Sequence, residues 1–566
     1  MRAAAARVLA RSALGALGAL GTMGVAHPAA AQAVGSASPP DPRQPMVERY
    51  EYTITLPDTG AHIDVSALVR LASYPTVDTV IFDLDDAMKV TNVVFMCDDE
   101  LEQARWSREP GRLLVPVRDR SGGAVRHPWT QTNCIRIVYD GVPTDGLIIG
   151  TDAKGRWQAF GDNFPNRARH WLVSQDHPSR KAKVTFRVIA SVDHAVVANG
   201  ALVEEGLDTR GRRVTTWRED RPIPTYGMVI AAGPLAMLSL GRTACGLAED
   251  GGCVPQAVWF ANDVRAFMPG EFARAGQIVE FFARTIGPYP YEKLGHLQSS
   301  TRYGGMENPS AIFYFDRGFR RAGGIDDGLI AHETAHQWFG DAVTEREWAH
   351  IWLSEGFATF FAALWAQQAH GDTTYARELA DMRTAVLRAP IVAKHAVIDS
   401  VEVDPNKLLN ENSYPKGGLV LAMLRDELGD SAFFGGLRRY YAAHRHGNAL
   451  TQDLQAALEA AAGRPLGWFF DQWLRRPGWA QLRTAFTWDA AAHRVTLRVE
   501  QDARFGAYRL TLPVELEFAD GSKRVERVAV DAVASQSVVL PSSFTSAPIA
   551  VRCAPSQRLL ATCAAQ

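Results

Sequence analysis

The pattern His332-Glu333-Thr334-Ala335-His336, followed 19 positions later by Glu355, constrains this chain more than any other stretch. On an α-helix, residues four apart project from one face, so both imidazoles can meet one metal ion while Glu333 stands beside it. Start signals agree: Asp326 and Asp327 are candidate caps ahead of apolar Leu329, Ile330, Ala331 and Ala335, and Gly340 marks the expected end. The next helix is expected to open near Ser354 and to run through Phe357, Phe360, Phe361 and Leu364 to Gly371, which places Glu355 in its first turn. Two histidines, one carboxylate and an open fourth position make the ligand set of a hydrolytic zinc site, one Zn2+ per chain. Imidazole with carboxylate suits zinc better than magnesium or calcium. A metal there lowers the pKa of its water, and Glu333 stands ready to take the proton as that water attacks a carbonyl. The competing explanation is a chance pattern on an amphipathic helix, and a third ligand in the next expected helix argues against it.

Two further stretches flank this core. Upstream lies Gly304-Gly305-Met306-Glu307-Asn308, and downstream lies Tyr414-Pro415-Lys416-Gly417. Together with the His-Glu-x-x-His pattern and Glu355, they resemble the motifs of the gluzincin peptidases of the aminopeptidase N and leukotriene hydrolase family. That resemblance implies a thermolysin-like catalytic domain, with zinc held by His332, His336 and Glu355 and Glu333 as general base. It also implies that Glu307 binds the free α-amine of a peptide substrate and that Tyr414 supports the oxyanion. Glycines at 304 and 305 let a peptide backbone approach closely, as strand addition requires.

The segments Arg167-Ala168-Arg169-His170-Trp171 and Asp176-His177-Pro178-Ser179-Arg180-Lys181-Ala182 resemble another stretch of the same family. Here the chain departs from the pattern. Val173-Ser174 replaces the usual Pro-Cys, and the residue that normally helps grip the substrate amine aligns with Phe164. Asp162 and Asn163 lie close enough in sequence to substitute for it. Asp341 and Ser354 stand where the family commonly has asparagine, and either can tune the surroundings of the metal.

In chain order, residues 1–33 read as a signal peptide: Arg2, Arg7 and Arg11, an Ala/Leu/Gly stretch from Ala13 to Ala26, then small residues suited to cleavage. Cleavage would leave 57 basic against 62 acidic residues, a formal −5 in place of −2. Residues 34–48 read as a Pro/Ser linker. Short alternating runs such as 50–54, 79–82, 135–139 and 184–188 indicate a β domain over 49–240. Helical patterns then dominate 241–477, beginning with an amphipathic stretch from Pro269 to Ile286. Alternation returns over 478–566 at 482–488, 494–500, 508–518 and 525–530, as in a small β-sandwich. The expected class is therefore α+β and multidomain.

Six cysteines in an exported chain are compatible with disulfides, and neighbourhood favours Cys97–Cys134, Cys245–Cys253 and Cys553–Cys563. His350 is a tempting alternative ligand, but a lone histidine beside tryptophans is more often a core residue. His444 and His446 read as surface. Balanced charge and the lack of a later apolar span argue against nucleic acid and against a membrane span as partners. The chain reads as an exported zinc metallopeptidase acting on peptides with a free N-terminus. The alternatives are a gluzincin hydrolase for N-blocked or non-standard substrates, and a non-catalytic binding protein on the same fold.

Overall fold

The structure is a computed structural model, and it describes residues 40–73, 77–97, 100–117, 134–152, 154–246, 253–261, 264, 268–553 and 558–565. The expected signal peptide and residues 34–39 of the expected linker lie outside these residues, and the first strand begins at Val47, inside the expected linker. Contacts divide the chain into two compact units. One takes in the described residues up to Trp348 together with Val403–Asn406 and Tyr441–Ala449. The other takes in Ala349–Glu402, Lys407–Tyr440 and the described residues from Leu450 on.

The first unit opens with an eight-stranded sheet in which Val47–Thr55 runs parallel to Ala182–Ala190 and antiparallel to Ile63–Leu71. Strict alternation sends Tyr50, Tyr52 and Ile54 inward, where all three are buried. A tyrosine can be buried here because its hydroxyl finds a backbone acceptor: Tyr52 donates to the carbonyl of Val173 and Tyr139 to that of Trp171. A four-stranded sheet, Leu147–Thr151, Trp157–Gly161, Ile230–Gly233 and Ala195–Ala198, and a three-stranded one, Thr79–Asp83, Arg112–Pro116 and Ser107–Glu109, belong to the same β-rich part.

A five-stranded mixed sheet follows in the same unit. Its strands, in spatial order, are Leu235–Ala244, Cys253–Ala261, Leu294–Ser299, Ala311–Phe315 and the two-residue edge strand Gly305–Met306. The expected boundary at 240/241 therefore falls inside a strand, because alternation alone does not say which sheet a strand joins. The expected helix from Pro269 to Ile286 is also two pieces, Met268–Glu271 and α1, Ala275–Thr285. The interruption lets the Phe272 ring drop into the core, 4.9 Å from His296 and 5.9 Å from Phe319.

The metal-motif helix, α2, spans Asp327–His336. It ends four residues short of Gly340, whose φ of 119° serves the turn beyond the helix. Among its caps, Asp326 is the one that accepts a hydrogen bond, from the Leu329 amide at 2.9 Å.

In the second unit the helices are α3, Trp352–His370, α4, Asp372–Arg388, α5, Gly417–His444, α6, Thr451–Ala462, and α7, Gly467–Leu474. α5 is broken at Gly429, where φ is 74°, and its last residues fall in the first unit. Two small sheets follow, of four and three strands, burying Leu482, Val495, Leu497, Leu512, Val514 and Leu516 on their inner faces. This is the expected sandwich. It is fastened to α7 by the Gln472 amide, which both donates to and accepts from the Arg509 backbone. Cys553 and Cys563, one of the expected pairs, stand with their Cα atoms 6.2 Å apart, within reach of a disulfide. The register sets Cys134 opposite Met96 and Cys253 opposite Ala244, each one residue from its expected partner in sequence. Among the described residues no helix is long and apolar enough to cross a membrane.

The cap makes a local prediction. Asp326→Ala removes the acceptor for the Leu329 amide at the start of the short helix that carries both histidines, and should cost about 1 kcal/mol of stability, measured by denaturant unfolding.

Candidate functional site

In the first unit, α2 carries the two histidines of the motif. On α2 the two Nε2 atoms of His332 and His336 face each other at 3.2 Å. His336 Nδ1 lies 3.2 Å from the carbonyl of Phe339. A carbonyl only accepts, so Nδ1 carries the proton and Nε2 presents its lone pair. Two imidazole nitrogens at this spacing either share one N–H proton or flank a cation. Two nitrogens on a tetrahedral zinc, each at its usual bond length, stand about 3.3 Å apart. The spacing fits the metal that the motif implies.

Glu333, Glu307 and His336 each offer a ligand atom, and these atoms all lie within 4.8 Å of one another. Glu333 is pressed against the edge strand: a Cβ at Gly305 would fall 2.1 Å from Glu333 Oε1. Only glycine permits that approach, which gives Gly305 a physical reason. Met306 and Asn308 are buried, and Glu307 is nearly so.

Gln337, which the motif reading passed over, ties these pieces together. Its Nε2 donates to the Glu307 carbonyl at 2.6 Å and to Asp341 Oδ2 at 2.7 Å, while its Oε1 accepts from the Ser310 amide and the Tyr289 hydroxyl. Every hydrogen-bonding position of the amide that the fold reaches is used. The only sequence signal was an amide directly after the second histidine. Burial, reinforced by the nearby Glu307 charge, pushes the Asp341 carboxyl well above the ordinary range, against the opposing pull of His336 and Lys181. Lys181 Nζ spends its three protons on the carbonyls of Asp341, Ala342 and Gly447, and burial lowers its pKa to about 7.

In the second unit, Glu355 and Tyr414 are brought together. Glu355 lies in the first turn of α3 and is buried, and the Tyr414 hydroxyl donates to its Oε1 at 2.8 Å. Tyr414 sits in a single π-helical turn, Asn412–Lys416, of the kind that recurs at functional sites. That turn rests directly on α3, because Gly356 and Gly417 meet backbone to backbone. A Cβ on Gly356 would stand 2.9 Å from the Gly417 Cα.

Three sequence candidates, Asp162, Asn163 and His446, stand differently from expectation, whereas His350 takes the core position expected of it. Asp162 is fully buried and held by Arg167 and Arg302, each at 3.1 Å, so its carboxylate is already committed. Asn163 is committed too, donating to the Met228 carbonyl and accepting from the Trp171 indole. Phe164 packs edge-on against Tyr226, Tyr303 and Trp348. His350 bonds Thr451 at the start of α6, and burial lowers its pKa to about 4. His446, expected at the surface, is half-buried against the Tyr291 ring with its amide on the Ala342 carbonyl. Sequence offers no sign of this, since the contact comes from a strand pairing, Gly447–Ala449 with Val343–Glu345, that joins distant segments.

Lys416 generates a prediction. It is fully buried, its Nζ has no hydrogen-bond partner among the described residues, and burial lowers its pKa from 10.5 to about 7. Between those values the unfolded chain binds more protons than the folded one, so this group's contribution to stability improves as pH rises from 7 toward 10.5. Lys416→Met should raise the melting temperature by a few degrees at pH 7, and the gain should shrink as pH approaches 10.5. Calorimetry at both pH values checks it.

Residues 271–473 match the peptidase family M1 domain, and residues 148–226 match the peptidase M1 N-terminal domain. Among curated relatives, the tricorn protease-interacting factor F2 of Thermoplasma acidophilum is 28% identical over 335 residues, 56% of this chain and 40% of that protein. Aminopeptidase 2 of Candida albicans is 28% identical over 69% of this chain and 41% of its own length. Aminopeptidase N of Streptomyces lividans is 28% identical over 59% and 40% respectively. The chain thus spans about 40% of the length of the curated relatives it matches. Among solved structures, a mutant M1 zinc metallopeptidase from Deinococcus radiodurans superposes with a TM-score of 0.65. The match covers 78% of this chain and 97% of that one at 23% identity, a likeness of fold. The chain thus carries, in the expected order, stretches that match the peptidase M1 N-terminal domain and the peptidase family M1 domain, the latter holding the gluzincin motifs.

Proposed function

We propose that this protein is an exported zinc aminopeptidase that hydrolyses the first peptide bond of peptides with a free N-terminus. The observation that carries the reading is the pair of facing Nε2 atoms on α2, with Glu333 between them in sequence and against the edge strand. His332, His336 and Glu355 hold the metal. When bound, zinc supplies the Lewis acidity that polarises the scissile carbonyl and acidifies water. Glu333 takes the proton of the attacking water and delivers it to the departing amine. Tyr414 donates its hydroxyl to the oxyanion, which requires that it turn from Glu355 Oε1, its partner here. Glu307 pairs with the substrate ammonium and so counts from the chain end. The edge strand Gly305–Met306 offers backbone groups to an extended peptide, beside Asn308. The N-terminal arginines and apolar stretch support export, to the periplasm or outside the cell, after cleavage near residue 33.

A second reading, a hydrolase for N-blocked substrates, is favoured by one observation. Asp162 and Asn163 are both spent on internal partners, so Glu307 is left to read the amine without them.

Three outcomes are expected. His332→Ala, His336→Ala and Glu355→Ala should each lose zinc by metal analysis, and a variant that keeps full zinc is no ligand. Glu333→Gln should keep its zinc and lose most turnover, because an amide cannot accept the proton. Glu307→Ala should cost roughly 2–3 kcal/mol in kcat/KM for free peptides and shrink the preference for them over N-acetylated ones. Wild-type cleavage of acetylated peptides as readily as free ones would replace the aminopeptidase reading with the N-blocked one.

A further inference from the structure

The edge strand beside Glu333 is two residues long and pairs on one side only, Gly305 with Tyr314 and Met306 with Phe313. Such a short strand cannot hold its own position. The loop that feeds it, residues 300–304, has few backbone anchors, one of them the Gly304 carbonyl accepting from the Phe315 amide at 3.2 Å. Most of its fixing comes from side chains. Arg302 places Nε on Asp162 Oδ2 at 3.1 Å and Nη2 on Asp145 Oδ1 at 2.7 Å, and Thr301 Oγ1 reaches Asp162 Oδ1 at 3.4 Å. Arg167 bridges the same two aspartates, at 3.0 Å and 3.1 Å, closing a square of two cations and two anions.

The square is anchored from one side. The Asp162 side chain is wholly buried and that of Arg167 nearly so, whereas the Arg302 side chain is half exposed. Burial works to raise the Asp145 pKa, but the Arg167 and Arg302 guanidiniums outweigh it and hold the carboxyl below its ordinary value. The β-rich part thus offers a fixed anionic socket, and Arg302 is the plug carried by the loop. Three residues further on, the backbone of Gly305 touches the Glu333 carboxyl, so any drift of the loop alters that approach.

We propose that Arg302, seated on Asp162 and Asp145, is a positioning residue that holds the substrate-binding edge strand against Glu333. It acts through the strand and does not touch the reacting atoms. The proposal rests on the peptidase reading only for its kinetic consequence. Loss of Arg302 leaves Asp162 still paired with Arg167, so the fold should survive.

The experiment uses the full chain with zinc, comparing wild type, Arg302→Ala and Arg302→Lys. In Arg302→Ala, zinc content should be unchanged, and amide hydrogen exchange over residues 301–306 should quicken at least roughly tenfold while the rest of the chain keeps its rates. For peptide substrates KM should rise roughly tenfold with kcat within about threefold, the signature of a lost binding surface, and Arg302→Lys should recover part of both effects. Unchanged exchange over 301–306 overturns the proposal, including the case in which KM rises alone, since Arg302 would then be touching substrate. Faster exchange with KM unmoved overturns it as well. If wild type cleaves no peptide, the peptidase reading fails separately, and the exchange comparison still decides whether Arg302 holds the strand. Should Arg302→Ala not fold, Arg302→Lys carries the same readouts at smaller amplitude.

Discussion

The 3.2 Å approach of two imidazole nitrogens on one helical turn is the constraint on which the first unit depends. Lone pairs that face each other repel, so the two nitrogens share either one N–H proton or a cation. The precondition for either is a proton held on the far side of the His336 ring by the Phe339 carbonyl. That carbonyl is available because the chain leaves the helix directly after His336 and folds back. The end of the helix and the tautomer of the ligand are thus one structural decision.

Around that helix, buried polar groups set the precision of the site. Gln337 links Glu307, directly after the edge strand, with the turn at Ser310 and the Asp341 side chain through a single amide. Lys181, from the β-rich part, donates to three carbonyls drawn from two distant segments. An unsatisfied group at any of these points would carry a desolvation cost, so the network rigidifies by having few alternatives. Lys416 is the contrast, a buried cation whose pKa is set by burial, with no hydrogen-bond acceptor among the described residues to offset it.

In the second unit the same economy is reached by close packing. Two glycines let a helix and a π-turn touch backbone to backbone, and that contact brings a tyrosine hydroxyl to a glutamate. Side chains at either glycine would separate the pair. The geometry depends on what is missing from Gly356 and Gly417 as much as on what Tyr414 and Glu355 carry.

The sequence by itself determined the broad architecture and the helical placement of the motif. That His332 and His336 share a face was legible because helical period turns a spacing of four into one side of a helix, and the strand-rich, helical and strand-rich stretches were legible because periods of 2 and 3.6 differ. Element edges were less so: α2 stops short of Gly340, and the 269–286 stretch breaks at Phe272 because a core position for that ring outweighs helix continuity. Only the tertiary structure decided the roles of Asp162, Asn163, His446 and Gln337. Each depends on partners more than a dozen residues away in the chain, such as Arg302 for Asp162 or the Ala342 carbonyl for His446. Local pattern carries the type of a side chain and the face it lies on. Whether a carboxylate is open to a substrate or already spent on two guanidiniums is settled by long-range packing, which periodicity does not encode.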